Sequence, residues 1–406
     1  ETGADSLAAG TGADSLLGGD GADTVSASDG ANRIEAGLGA DTVLAGTGAD
    51  CILGGDGNDT IDAGSGDNSL LGETGADSLV TTGGADTLVG GDGADTLIAG
   101  AGSDSVTGNA DNDLILVQGT ADVGATDAID GGGGTDTVRI TATTVFGAGV
   151  TFAGVEVLDI SAAAAVTLSN GQLAPFTSAA GGAGASLTVN VDSGANYTLP
   201  GLGFTSLSLT LVGTAGAETI TGSTGAESIT GLDGNDLLSG NDGNDTLSGG
   251  TGDNTLSGET GADSLAAGTG ADSLLGGDGA DTLIAGAGSD SLTGGVGADV
   301  FVFGTGDSGT TVGSVDEVFD FQGGSDTLSL GVAGSVANYA EDLLGAVSFA
   351  GALTVADGLM NSTIRYVFVV VGSDGYLFID RDLNGAADEA IKLTGVSNMD
   401  WSDIVT

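Results

Sequence analysis

Single aliphatic residues recur along the chain at a spacing of nine, separated by stretches of glycine, aspartate and small polar residues. Stepping by nine from Asp5 gives Asp5, Asp14, Asp23, Asn32, Asp41, Asp50, Asp59, Asn68, Asp77, Asp86, Asp95, Asp104 and Asp113. Two residues after each stands an aliphatic side chain, from Leu7 to Ile115. Two residues before each stands glycine, except at Asp111. A second run keeps the same period through Glu218, Glu227, Asp236, Asp245, Asn254, Asp263, Asp272, Asp281, Asp290 and Asp299, with apolar partners from Ile220 to Phe301. Each unit predicts two elements. Six residues of Gly, Asp and small polar types form a tight turn, because glycine accepts φ > 0 and lets backbones approach closely. The next three, centred on the aliphatic, form a short strand with one inward side chain. Two units complete a coil, so equivalent positions 18 residues apart stack at about 4.8 Å. The expected fold is all-β, a right-handed parallel β-roll or β-solenoid in two repeat blocks.

The two blocks are close copies. Residues 1–24 recur unchanged at 259–282, and residues 53–105 align without a gap on 239–291. Units such as Gly90-Gly91-Asp92-Gly93-Ala94-Asp95-Thr96-Leu97-Ile98 fit the pattern G-G-x-G-x-D-x-U-x. The chain therefore resembles the RTX, or hemolysin-type, calcium-binding repeat family, and most of all its bacterial S-layer and cell-surface members. The resemblance covers most of the sequence.

Stacked turns of this kind bring backbone carbonyls and carboxylates of adjacent coils together. Such an all-oxygen cage suits Ca²⁺, which takes 6–8 oxygen ligands, better than Mg²⁺, which demands octahedral geometry and keeps its waters. With no histidine and one cysteine, zinc is a poor fit. The family resemblance implies that the repeat aspartates are the carboxylate ligands: Asp5, Asp14, Asp23, Asp41, Asp50, Asp59, Asp77, Asp86, Asp95, Asp104, Asp113, Asp236, Asp245, Asp263, Asp272, Asp281, Asp290 and Asp299. Units with Asn32, Asn68, Asn254, Glu218 or Glu227, and the unit where Asp111 replaces the turn glycine, are expected to bind weakly or not at all. Each coil offers few inward apolar residues. Cation binding is therefore expected to supply much of the folding free energy.

Outside the blocks the pattern changes. Residues 118–213 carry Gly131 through Gly134 and Thr- and Val-rich runs, and predict a β-rich insert that continues the solenoid with longer coils. Residues 304–406 bring larger apolar residues, including Trp401, and predict a C-terminal β cap. The boundaries so drawn are 1–117 and 214–303 for the repeat blocks, with the insert and cap between and after them. The stretch from Asp299 through Asp316-Glu317-Val318 to Leu330 resembles the end of an RTX array leading into a type I secretion region. It implies export to the outside of the cell by that machinery. Asp380-Arg381-Asp382-Leu383-Asn384-Gly385-Ala386-Ala387-Asp388 matches D-x-D-x-N-G, the start of a calcium loop, with Asp380, Asp382, Asn384 and Asp388 as ligands. Its twelfth position is Ile391, so the loop is either an incomplete ion site or a polar hairpin turn.

Composition narrows the function. Glycine is 80 of 406 residues and proline only 2, which excludes a collagen-like chain. Five basic against 57 acidic residues give a formal charge of −52, unfit for nucleic acid, whose phosphates need clustered Lys and Arg. No apolar run is long enough for a membrane helix. Cys51 is the only cysteine, in a slot that most other units give to Ser or Thr, and it reads as a small residue or a reactive thiol. No secretory signal opens the sequence, which begins inside a repeat, so it is expected to be the C-terminal part of a larger protein. The absence of histidine removes His-based triads and zinc-protease motifs, and Gly306-Asp307-Ser308-Gly309 reads as a chance match to a nucleophile loop. The expectation is a non-enzymatic surface protein that self-associates as an S-layer or filament. Alternatives are the export and folding module of a secreted enzyme or toxin, or an adhesin.

Overall fold

The computed structural model describes every residue except 1, 203, 205, 332–333, 335–338, 347 and 406, and residues 341–346 by backbone alone. Part of the predicted cap segment 304–406 thus lies outside the described residues. The chain forms two compact units, one of residues 1–190 with 200–209 and one of residues 191–199 with 210–406.

In the first unit the period of nine becomes two parallel sheets facing each other. One ladder aligns Ile52, Leu70, Leu88 and Val106, and the other Ile61, Leu79, Leu97 and Ile115, each step being one coil of 18 residues. These side chains are almost wholly buried between the sheets. The strands are longer than the three residues expected. Cys51–Asp56, Ser69–Thr74 and Thr87–Asp92 each run on into the glycine-rich half of the unit, and the registers Gly55↔Glu73↔Gly91 lie in the ladder. The glycines carry the strand because they have no side chain to collide with the coil beneath. A Cβ on Gly91, at φ 127°, would press into the backbone of Glu73. Inward positions therefore alternate along each strand as Asp, aliphatic and then Gly or Ala, the period of two that a strand imposes.

Beyond Ile115 the coils lengthen without changing direction. Val106 pairs with Ile129 and Ile115 with Val138, each 23 residues on, and Val138 then pairs with Leu158. All are parallel. Phe146, Phe152 and Phe176 fill the wider interior, with ring centroids 5.2 and 5.4 Å apart. Gln172 donates to the carbonyls of Gly147 and Val150.

The second unit repeats the plan. Ile229, Leu247, Leu265, Leu283, Phe301 and Leu328 stack in one parallel ladder, and Ile220, Leu238, Leu256, Leu274, Leu292 and Val318 in the other. Its last part departs from the coil. Glu389–Leu393 pairs in parallel with Asp316–Val318, then antiparallel with Asp374–Ile379, which in turn pairs antiparallel with Tyr366–Val371. The helix Phe349–Leu359 lays Ala352 and Ala356 against Val367, Val369 and Phe378. Among the described residues no helix is long and apolar enough to cross a membrane.

Candidate metal centre

The repeat aspartates point inward, not out from the turns. Asp59, Asp95, Asp245 and Asp281 are each about as buried as the aliphatic two residues on. One carboxylate oxygen has a fixed task. Asp77 Oδ1 accepts the Asp59 amide at 2.8 Å, Asp95 Oδ1 accepts the Asp77 amide at 2.8 Å, and Asp113 Oδ1 accepts the Asp95 amide at 2.8 Å. The same bond, one coil at a time, links Asp245 to Asp263, Asp263 to Asp281 and Asp281 to Asp299. The backbone donor that would be orphaned at each turn is thereby satisfied.

The second oxygen has no protein partner. Oδ2 is buried and without a hydrogen-bond donor in every repeat aspartate expected to be a ligand, from Asp5 to Asp113 and from Asp236 to Asp299. A buried carboxylate oxygen left this way costs free energy unless a cation or proton meets it. Burial pushes Asp59, Asp95, Asp104, Asp245 and Asp290 up to about 7 and Asp113 and Asp281 up to about 6, with neighbouring carboxylates adding to the rise. A second oxygen stands close by. A Cβ built on Gly276 would lie 2.5 Å from both Asp281 Oδ2 and the Gly294 carbonyl of the next coil. Gly72 makes the same cradle for Asp77 and the Gly90 carbonyl. Where this position is glycine, as at Gly54, Gly72, Gly90, Gly258 and Gly276, no side chain stands beside the carboxylate and the carbonyl; other units carry Ala or Thr there, such as Ala36 before Asp41 and Thr81 before Asp86. Buried carboxylate and carbonyl oxygens with no nitrogen or sulfur donor among them suit a hard cation such as calcium.

The units with Asn or Glu in the acidic position satisfy themselves, whereas in the Asp111 unit Asp113 Oδ2 stays without a donor, as in the regular units. Asn32, Asn68 and Asn254 also accept the amide below, but their Nδ2 groups donate to Gly30, Gly66 and Gly252 carbonyls at 3.0, 2.9 and 3.1 Å. The amide occupies the place of the free oxygen and is neutral. Glu218 is held by Thr214 and Gly194, and Glu227 by the Ser223 amide at 2.8 Å and hydroxyl at 2.6 Å. The hydrogen bonds outweigh burial at Glu218 and hold its carboxyl below the usual range. Asp111 takes the left-handed backbone of the glycine it replaces, at φ 71°.

The ladder also runs past the blocks through residues that the period of nine does not reach. Asp127 and Asp136 accept the amides of Asp104 and Asp113, 23 residues back. Asp316 and Asp326 accept those of Asp290 and Asp299, 26 and 27 residues back. Asp127 and Asp326 spend Oδ2 on the amides of Gly124 and Gln322, whereas Asp136 and Asp316 leave it without a donor. The sequence carries a signal for all four, an aliphatic two residues on (Ile129, Val138, Val318, Leu328), but longer coils break the count.

The loop 380–388 is a hairpin turn whose acidic side chains converge. It joins the antiparallel strands Asp374–Ile379 and Glu389–Leu393, and carboxylate oxygens of Asp380, Asp382 and Asp388 lie within 4.8 Å of one another. Asp380 is fully buried and accepts the Asn384 and Gly385 amides, while Asn384 Oδ1 accepts the Ala386 amide. Arg381 turns away from the loop, pairing with Glu389 at 2.7 Å and donating to the carbonyls of Leu330, Phe303 and Gly304. Ser308 is buried, donates to the Ala390 carbonyl and accepts the Asp316 amide, which makes it a strut.

No curated protein matches the sequence. Among solved structures the chain is similar to the solution structure of the AlgE6R3 subunit from the Azotobacter vinelandii mannuronan C5-epimerase. That likeness has 20% identity and a TM-score of 0.20, and covers 47% of this chain and 77% of that one. A family model describing the RTX calcium-binding nonapeptide repeat, in four copies, matches repeatedly between residues 1 and 115 and between residues 212 and 308. These spans are just over half of the chain and hold all eighteen repeat aspartates with a donorless inner oxygen. The chain belongs to the family of RTX calcium-binding nonapeptide-repeat proteins.

Proposed function

We propose that this chain is an extracellular structural protein whose coils fold as they bind many calcium ions, and which then associates with further copies on the cell surface as a layer or filament. The observation that supports this reading is the inner carboxylate oxygen with no donor, repeated along both units. A stack of such oxygens is poorly compatible with a compact metal-free state near neutral pH, so calcium and the fold are linked. The formal charge of −52 acts in the same direction, by keeping the metal-free chain expanded and apart from its copies. Export by a type I machinery and a low-calcium interior would keep the chain unfolded until it is outside. The role is non-enzymatic, with Asp380, Asp382, Asn384 and Asp388 as one more ion-binding loop near the chain's end. A second reading, the export and folding module of a larger secreted protein, is favoured by the segment from Asp299 to Leu330, which resembles the end of an RTX array.

Calcium titrated into EDTA-stripped protein, followed by far-UV circular dichroism and light scattering together, tests this. The expected result is a cooperative gain of β signal that Mg²⁺ does not give, with scattering that rises on calcium and falls on EDTA. Unchanged β signal without calcium overturns calcium-linked folding. A β transition without any rise in scattering overturns assembly and leaves the module reading.

A further inference from the structure

We infer that the turn of Asp86 takes no calcium, because Thr81 and Thr82 close the cradle that an ion needs there. The inference rests on the calcium reading of the repeat aspartates and names one of them that stays empty. Asp86 itself is regular. It is buried, its Oδ1 accepts the Asn68 amide at 2.7 Å, and its own amide donates to Asp104 Oδ1 at 2.8 Å. The difference lies five residues upstream.

In the turn of Asp77 that place is Gly72. A Cβ there would lie 2.3 Å from Asp77 Oδ2 and 2.5 Å from the Gly90 carbonyl of the next coil. Before Asp86 the same place holds Thr81, which is fully buried. Its Oγ1 donates at 2.5 Å to the Ala99 carbonyl, the counterpart of the Gly90 carbonyl. The hydroxyl also lies against the Asp86 carboxyl. It has one proton, and the carbonyl takes it, so Asp86 Oδ2 gains no donor. A hydroxyl thus stands against both oxygens that would otherwise share an ion. Alanine, which fills this place before Asp41 and Asp50, carries a methyl that bonds to neither.

Thr82 adds to the effect. The residue after the cradle position lies at positive φ in neighbouring coils, at 71° in Gly64, 76° in Glu73 and 127° in Gly91. A β-branched residue avoids that region, and Thr82 is not in it. The ladder slips as a result, and Gly64 pairs with Thr81 instead of Thr82. The second block holds the same turn without the threonines. The alignment of 53–105 on 239–291 sets Ala267 and Gly268 opposite Thr81 and Thr82, Asp272 opposite Asp86 and Asn254 opposite Asn68. There Gly268 has a φ of 110° and pairs with Gly250 in even register.

The result is a gap in one row of turns. Asn68 lies one coil before Asp86, and its Nδ2 already fills the place of the free oxygen. Two successive turns on that side of the coil are then without an ion. Across the coil, Asp59, Asp77, Asp95 and Asp113 all keep glycine cradles.

The test is a count of calcium ions on the full chain by native mass spectrometry. It compares the wild type, Asp86→Asn, Asp272→Asn, Asp77→Asn and the double variant Thr81→Ala with Thr82→Gly. Asparagine already accepts the same amide at Asn32, Asn68 and Asn254, so the single variants keep the bond that the ladder needs. The expected result is the wild-type count for Asp86→Asn, one ion fewer for Asp272→Asn and for Asp77→Asn, and one ion more for the double variant. Loss of an ion at Asp86→Asn would make the threonine hydroxyl a ligand and overturns the inference. No gain in the double variant overturns the threonines as the cause. Loss at Asp77→Asn with none at Asp272→Asn also overturns it, since an alanine cradle would then be as empty as the threonine one. No loss at any of the three overturns the calcium reading of the repeats itself.

Discussion

The opening coils of the second block and the coils that follow share one ladder and one hydrophobic core, yet they treat their carboxylates oppositely. At Glu218 and Glu227 the added methylene lets the carboxylate reach back to the residue four positions earlier, Thr214 or Ser223, and both oxygens are satisfied by the protein. At Asp236, Asp245 and the aspartates beyond, the shorter side chain accepts only the amide of the preceding coil, as from Glu218 and Glu227, and one oxygen is left without a donor. The same backbone thus carries either a self-contained turn or a cation site. The choice depends on side-chain length and on whether Ser or Thr stands four residues upstream.

The widest test of that contrast is removal of calcium. Hydrogen exchange in EDTA should show amide protection lost throughout residues 232–303. The opening coils should lose less, because their carboxylates need no ion. Equal loss in both regions would mean that the glutamates do not substitute for calcium.

Next in size is the effect of acid on the metal-free chain. The buried aspartates that burial raises to about 6 or 7 bind protons more tightly when folded than when unfolded, where Asp titrates near about 3.9. Their contribution to stability is complete below the unfolded value and is lost as pH rises through about 6 to 7. Metal-free protein should therefore gain β signal in circular dichroism when taken from pH 8 to pH 5, the reverse of ordinary acid unfolding. Glu218, whose carboxyl is held low, works the other way, losing its contribution as pH falls through the folded value. A flat pH profile in EDTA would remove protonation as a substitute for the ion.

Truncation of the shared core comes third. Ile229→Ala in a glutamate coil and Leu247→Ala in an aspartate coil should each cost about 2–5 kcal/mol in calcium-saturated denaturant unfolding, since both side chains are fully buried. A large difference between them would mean that the core is not continuous across the two kinds of coil.

The smallest effects come from exchanging the carboxylates. Asp245→Asn should remove one ion, worth about 2.7 kcal/mol at a hundredfold excess of calcium over Kd. Glu227→Asp should release Ser223 and create a site, raising the ion count by one. Unchanged counts in isothermal titration would show that length alone does not decide the matter.

Much of this was legible in the sequence. The period of nine gave the parallel coils, the two inner ladders and every repeat aspartate with a donorless oxygen. Four features were hidden for physical reasons. Strand length was underestimated because glycine reads as a turn former, whereas Gly54 and Gly55 lie in a strand where a side chain would strike the next coil. The pattern of nine alone places the aspartates in turns, and their inward direction appears only once the strand alternation is extended back to them. Asp136 and Asp316 fall outside a count by nine because coils of 23 and 26 residues break it while preserving the three-dimensional ladder, although residues 131–139 around Asp136 fit the whole G-G-x-G-x-D-x-U-x pattern. The self-satisfaction of Glu218 and Glu227 was signalled by Thr214 and Ser223, but only the geometry shows the chain folding back far enough to use them.

The amide-to-carboxylate ladder also gives the stack a polarity. Every repeat bond runs one way: the coil nearer the N-terminus donates and the coil nearer the C-terminus accepts. A cut between any two such coils leaves two unlike faces, one of open amides and one of open carboxylates. Coil faces of this kind complement each other only head to tail. A two-fold joint would set carboxylate against carboxylate, or amide against amide, and the ladder could not continue across it.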